Sequence, residues 1–202
     1  MSVLTGPEIC RVVKRSKGIA VPWNETSDTL PRILIDPFDP AMCGPNSYDV
    51  TLGDTLLRYN RPFRHGVPLP IDPLNPPPTM TVPAENDGWL LDPGVLYLGS
   101  TAERIACHGV VPWIDGRSSV GRLGISVHVT AGRGDDGWPG PGREPAPFTL
   151  EITVVHPTIL RPGMRLAQLT FMRVEGDRRP YAGRYGEATA APVASRFHQE
   201  GR

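Results

Sequence analysis

Lysine is almost missing from this 202-residue chain: Lys14 and Lys17 are the only two, so nearly all of its 21 basic residues are arginine. That bias either favours planar, bidentate contacts or reflects coding preference. An excess of charge of either sign is also missing, because 21 acidic residues bring the formal net charge to zero. Without a global positive field the chain is a poor match for a nucleic-acid polymer, whereas a small anionic ligand needs only a local cluster. Cysteine is scarce, and Cys10, Cys43 and Cys107 stand far apart in odd number. This spacing argues against a disulfide framework and a CxxC metal knuckle, and it suggests an intracellular, cytoplasmic protein. No apolar run approaches the roughly 18 residues that span a bilayer, and no basic segment followed by an apolar stretch opens the chain. Neither membrane insertion nor export is expected.

Proline and glycine, by contrast, are plentiful at 24 and 22 residues. The length suits one domain over residues 1–202, with a helical region at 1–20 and a polar tail at 175–202. Thr5-Gly6-Pro7-Glu8 has the spacing of a capping box, and Ile9, Val12 and Val13 follow at helical intervals, predicting a short helix that stops at Gly18. Brief apolar pieces then predict strands at Arg32–Ile35, Tyr48–Leu52, Thr55–Tyr59, Val95–Leu98, Val110–Ile114, Ile125–Thr130, Phe148–Val155 and Arg165–Val174. Short strands ended by glycine or proline fit a mainly β sandwich or barrel better than a βαβ sheet. Val67–Pro83 carries too many prolines for a central strand and reads as an extended arm or surface loop.

Two stretches carry chemistry. Gly116 to Gly124 holds Arg117, Ser118, Ser119 and Arg122 between glycines. Guanidinium forks, hydroxyls and close backbone approach suit a phosphate-bearing ligand, although the same residues would serve a solvated turn. In Phe-Thr-Leu-Glu-Ile-Thr-Val-Val, strand alternation sets Thr149, Glu151 and Thr153 on one face and Leu150, Ile152 and Val154 on the other. If the polar face lines a pocket rather than meeting solvent, Glu151 suits proton transfer. His128, on the face of Ser126 and Thr130, has no second ligand at metal spacing and reads as a packed or hydrogen-bonded histidine. PCxxC is absent, and the one HxE, His198-Gln199-Glu200, stands in the polar tail with no cysteine pair after it, which excludes the zinc-water signature of the cytidine deaminases. Asp135 and Asp136 either initiate a turn or orient a sugar hydroxyl or a water.

These residues resemble the dCTP deaminases of the trimeric dUTPase-like superfamily. The likeness runs from Trp113 to Trp138 and resumes at Thr149-Leu150-Glu151 and at Leu160-Arg161-Pro162-Gly163-Met164. Weaker echoes are Asn46 to Gly53 and Val193-Ala194-Ser195-Arg196. The resemblance implies a distorted β-barrel or jelly-roll-like subunit with a short N-terminal helix, assembled as a homotrimer with active sites between subunits. It implies hydrolysis of dCTP to dUTP and ammonia without a protein-bound metal, Mg²⁺ being carried by the triphosphate. Glu151 would take a proton from the water that attacks C4 and pass protons to N3 and the leaving amine. Ser118 and the main-chain carbonyl of Ala131 would hold the water or the amino group, and Arg122 would keep Glu151 in its working ionisation state. Arg117, Ser119, Val120 and Gly121 match the phosphate-binding turn, and Asp135 the position near the deoxyribose. Thr149 and Leu150 would face the base through their main chain, while Tyr181 and Arg184 resemble tail residues that close over the triphosphate.

The chain departs from the family pattern in two places. The spacing from Tyr181 to Arg184 is short and the usual following glutamine is not evident; and Pro139–Pro147 is longer than its counterpart, which suggests an insertion that tunes the substrate, for instance towards a C5-modified cytosine or another phosphate state. The alternatives are a bifunctional deaminase and dUTPase giving dUMP and pyrophosphate, or a non-catalytic nucleotide-binding regulator. Glu151 argues for deamination over phosphate hydrolysis alone, and His128-Val129-Thr130-Ala131 resembles the monofunctional enzymes. The resemblance also makes dTTP an expected inhibitor.

Overall fold

Thr5 opens the first regular element: its Oγ1 accepts from the Glu8 N–H at 3.4 Å, as the capping box predicts. The helix that follows, α1 (Gly6–Lys17), buries Ile9, Val12 and Val13 along one face. The computed structural model describes residues 2–17, 30–128, 130–186 and 191–199. The helix stop expected at Gly18, Val129 of the strand expected over Ile125–Thr130, and residues 187–190 and 200–202 of the tail lie outside the described residues.

Fourteen short strands are described. The first seven are β1 (Arg32–Asp36), β2 (Tyr48–Thr51), β3 (Leu57–Tyr59), β4 (Phe63–Arg64), β5 (Val67–Pro68), β6 (Thr79–Thr81) and β7 (Trp89–Leu91). The others are β8 (Tyr97–Ser100), β9 (Arg104–His108), β10 (Val110–Gly116), β11 (Ile125–Ser126), β12 (Thr149–Val154), β13 (Thr158–Leu160) and β14 (Arg165–Arg173). A four-residue helix, α2 (Ser118–Gly121), interrupts them. The largest sheet has the order β11-β12-β8-β3-β6, and β10-β14-β2 forms a second; β1-β9, β13-β7 and β4-β5 are two-stranded. The architecture is mainly β, and among the described residues these sheets do not join into a closed barrel. No described helix is long and apolar enough to cross a membrane.

The core forms where the inward faces of β2, β10, β12 and β14 meet: Tyr48, Val50, Ile114, Leu150, Ile152, Leu169 and Phe171 are all buried. Alternation delivers them. β12 buries every second residue, leaving Thr149, Glu151 and Thr153 partly exposed on the opposite face. The proline-rich Val67–Pro83 supplies β5, the exposed partner of β4, and β6, the edge strand of its sheet, as suits a segment short of N–H donors.

Three expectations are corrected. The strand predicted over Ile125–Thr130 ends at Ser126, because the chain leaves β12 and transfers its hydrogen bonding to β10: Gly132 and Pro112 carbonyls accept from the N–H groups of Ile114 and Gly134. β9 was not predicted, although it pairs with β1 along its whole length. And Cys10 is bonded to Cys43 as a disulfide, leaving only Cys107 as a free thiol. Linear separation hid that pair. α1 packs tightly on the 43–45 segment, with the Gly6 N–H 2.7 Å from the Pro45 carbonyl, and a Cβ at Gly6 would collide with the Gly44 oxygen.

Candidate functional site

Glu151 stands in the middle of β12, opposite Leu98 of β8, and its side chain faces a cleft of about 460 Å³. The segment that left β12 after Ser126 forms the facing wall, contributing His128 and Ala131 to Asp135. Leu96, Leu98, Ile114, Trp138 and Phe148 make the remainder largely apolar. A carboxylate set among such walls, open on one side, can reach a ligand's polar edge while the walls exclude water. His128 Nδ1 lies 3.4 Å from Glu151 Oε2.

The cleft gathers Glu151, Thr149, Ala131, Asp135 and Tyr181. Leu150 points the other way, 1% exposed in the core, so only its backbone is available at this face. The two adjacent aspartates have separate roles. Asp135 is exposed and lines the cleft, whereas Asp136 is buried, accepting from the Gly109 N–H at 2.6 Å and from Arg178 Nε at 2.7 Å.

The arginine-serine turn is a short helix with Arg117 at its N-cap, anchored by buried Val120. Ser118 and Ser119 face solvent. Asp49 holds the Arg117 guanidinium at 3.2 Å, and Arg122 donates back to the Ser118 carbonyl at 3.1 Å. None of Arg117, Ser118, Ser119, Val120, Gly121 or Arg122 lines the cleft of the same subunit. Arg184 is exposed outside it as well, its carbonyl accepting from the Arg196 guanidinium. The structure therefore brings the Glu151 group together and leaves the Arg117–Arg122 group elsewhere on the surface.

The sequence assigns no site role to Tyr59, Tyr185, Val193 or Ser195, which also line the cleft. The Val193 N–H donates to Thr149 Oγ1 at 3.1 Å and the Ser195 N–H to the Tyr59 hydroxyl at 3.0 Å, so the tail crosses the cleft mouth. Isolated tyrosines in polar sequence were the available signal, since a phenol pairs an apolar ring with a polar tip. The segment Pro139–Pro147 touches the cleft only through Pro147. Its Arg143 donates to the Gly183 carbonyl at 3.3 Å, linking the segment to the tail. Behind the cleft, Trp138 stacks on Phe148 at 5.0 Å and meets the Tyr181 ring at 5.2 Å. Cys107, completely enclosed, has its thiol pushed far up by desolvation and secondarily by Asp136, which keeps it protonated.

The chain thus combines a mainly β fold, a carboxylate-bearing apolar cleft and a separate arginine-serine surface. The chain belongs to the dCTP deaminase-like family, whose sequence model matches residues 22–174. It is 41% identical over 154 residues to a Leptospira biflexa protein named "dCTP deaminase, dUMP-forming", covering 76% of this chain and 81% of that one. It is 39% identical over 145 residues to a Rhodopirellula baltica "dCTP deaminase", covering 72% and 67%. In fold it is similar to the crystal structure of 2'-deoxycytidine 5'-triphosphate deaminase from Agrobacterium tumefaciens, with a TM-score of 0.53 and 22% identity. That likeness covers 84% of this chain and 47% of the other.

Proposed function

We propose that this protein deaminates dCTP and carries the product on to dUMP, so that dCTP and two waters yield dUMP, ammonia and pyrophosphate. The observation that carries the first step is Glu151, facing a mostly apolar cleft among Ala131, Asp135 and Thr149. In this reading Glu151 accepts a proton from water as the oxygen attacks C4 of cytosine, then returns protons to N3 and the departing amine. The Ala131 carbonyl and Ser118 hold the water or the amino group, and the β12 backbone at Thr149 and Leu150 reads the base edge. Asp135 meets the deoxyribose. Support for the second step comes from relatives named dUMP-forming, in Leptospira biflexa and again in Clostridium beijerinckii at 39% identity. This shifts the balance from deamination alone, the first expectation from the sequence, to the bifunctional alternative.

The distance in sequence and space between the cleft and Arg117–Arg122 supports a site completed by a neighbouring subunit of a homotrimer. There Arg117, Ser119 and the Val120-Gly121 backbone bind phosphates that bring their own Mg²⁺, while Arg122 and Ser118 approach the reacting amine from across the interface. Tyr181 and Arg184 close from the tail. A thymidine triphosphate fits the same contacts without an exocyclic amine to lose, which makes it an inhibitor. Incubation with dCTP and Mg²⁺, followed by chromatography of the nucleotides, tests the proposal. It expects dUMP with ammonia and pyrophosphate; accumulation of dUTP would remove the second step, and unchanged dCTP would leave only nucleotide binding.

A further inference from the structure

β11 and β12 set an antiparallel register of Ile125 opposite Val154 and Ser126 opposite Thr153. Continued by two residues, that register puts His128 opposite Glu151 on the same face, and the ring is there although the strand has ended. Its side chain is 8% exposed, and Nδ1 lies 3.4 Å from Glu151 Oε2 without the alignment of a hydrogen bond. No other group among the described residues hydrogen-bonds that nitrogen. A buried ring nitrogen left so carries an uncompensated desolvation cost, which a histidine serving packing alone would avoid. Both residues line the cleft, so the near-contact faces the space where a ligand sits.

We propose that His128 is a positioning residue for Glu151: its imidazole donates through Nδ1–H to Oε2 when substrate fills the cleft, leaving Oε1 directed at the reacting water. The inference rests on the reading of Glu151 as the proton-transferring group. Loose contacts of this kind in a ligand-free site shorten in the substrate complex. A carboxylate held in this orientation presents one lone pair to the water, and the gain falls on turnover rather than on binding. The imidazole moves no proton itself. It holds one.

Asparagine carries an amide donor near the place of Nδ1, whereas glutamine carries it nearer the place of Nε2, so the two substitutions separate a donor at one atom from a general need for polarity or volume. With dCTP as substrate, His128→Leu should lower kcat about 10–100-fold, the range for partners that orient a working ligand or base. His128→Asn should recover most of that loss, His128→Gln should not, and KM should stay within about twofold throughout. Ammonia release measures turnover, and thermal melting of each variant shows that it is folded. Equal activity of the Asn and Gln variants, a Leu variant as fast as the unsubstituted protein, or losses confined to KM would each overturn the inference. No ammonia from the unsubstituted protein would instead overturn the assignment of the activity itself.

Discussion

Glu151 is the residue on which the proposed chemistry turns. Replacing it with Gln preserves size and polarity and removes the base, so kcat for ammonia release should fall at least about 10²-fold while nucleotide affinity changes little. Calorimetric titration beside turnover measurements checks both halves, and retained turnover would refute its role as the base. Cys107 governs a different property. Its thiol is raised in the folded state by burial, so the folded form keeps a proton that the unfolded form releases above about pH 8.5. The stabilisation is therefore complete below that pH and is lost progressively as pH climbs towards the folded value. Tyr48, also raised by desolvation, adds a second decline starting near pH 10. Urea midpoints measured from pH 7 to 10 should be level at first and then fall, and Cys107→Ala should flatten the earlier part of that fall.

At the scale of elements, the tail is tied to the 136–143 segment. Asp136 holds Arg178 at 2.7 Å, the Asp136 carbonyl accepts from the Tyr181 N–H at 2.8 Å, and Arg143 reaches the Gly183 carbonyl. Arg178→Ala should cost about 1.5–3 kcal/mol, the worth of hydrogen bonds to a charged group, and should expose the tail to protease before the sheets are cut. Timed digestion with mass mapping would show it; simultaneous loss of tail and core fragments would count against a separate clamp. What the sequence revealed follows the same physics. β12 and β14 were legible because one face of β12 is polar and because β14 is long and ends cleanly. β9 escaped because Ile105, Ala106 and Cys107 are all buried, which erases the two-residue period. β11 is shorter than the pattern predicts because Val127 and His128 keep a strand-like alternation while the chain turns away to bond β10 further on, at Gly132 and Gly134. Glu151, Asp135, Ala131 and Thr149 are legible, whereas Val193 reaches Thr149 and Ser195 reaches Tyr59 only through tail packing that no local pattern encodes.

For the whole molecule, the decisive observation is that the arginine-serine helix and the Glu151 cleft do not meet within one chain. If a neighbour completes the site, two inactive variants can repair one another. Glu151→Gln damages the cleft and Arg117→Ala the phosphate surface. Hybrids refolded from an equal mixture then contain some sites with both halves intact, and ammonia release should return to about a quarter of the unsubstituted level if the chains assort at random. A mixture as silent as its components would place both halves of each site in the same chain.

Trp138 gives the cleft an optical property. It is 8% exposed, stacked on Phe148 and leaning on Tyr181 at the wall of the ligand space. Of the other described tryptophans, Trp89 is sealed in the core and Trp113 is not a cleft residue, so neither reports directly on occupancy. A pyrimidine entering beside that indole changes its surroundings and quenches or shifts its emission. The chain thus carries its own fluorophore for following ligand arrival on the millisecond scale, without a label or a coupled assay.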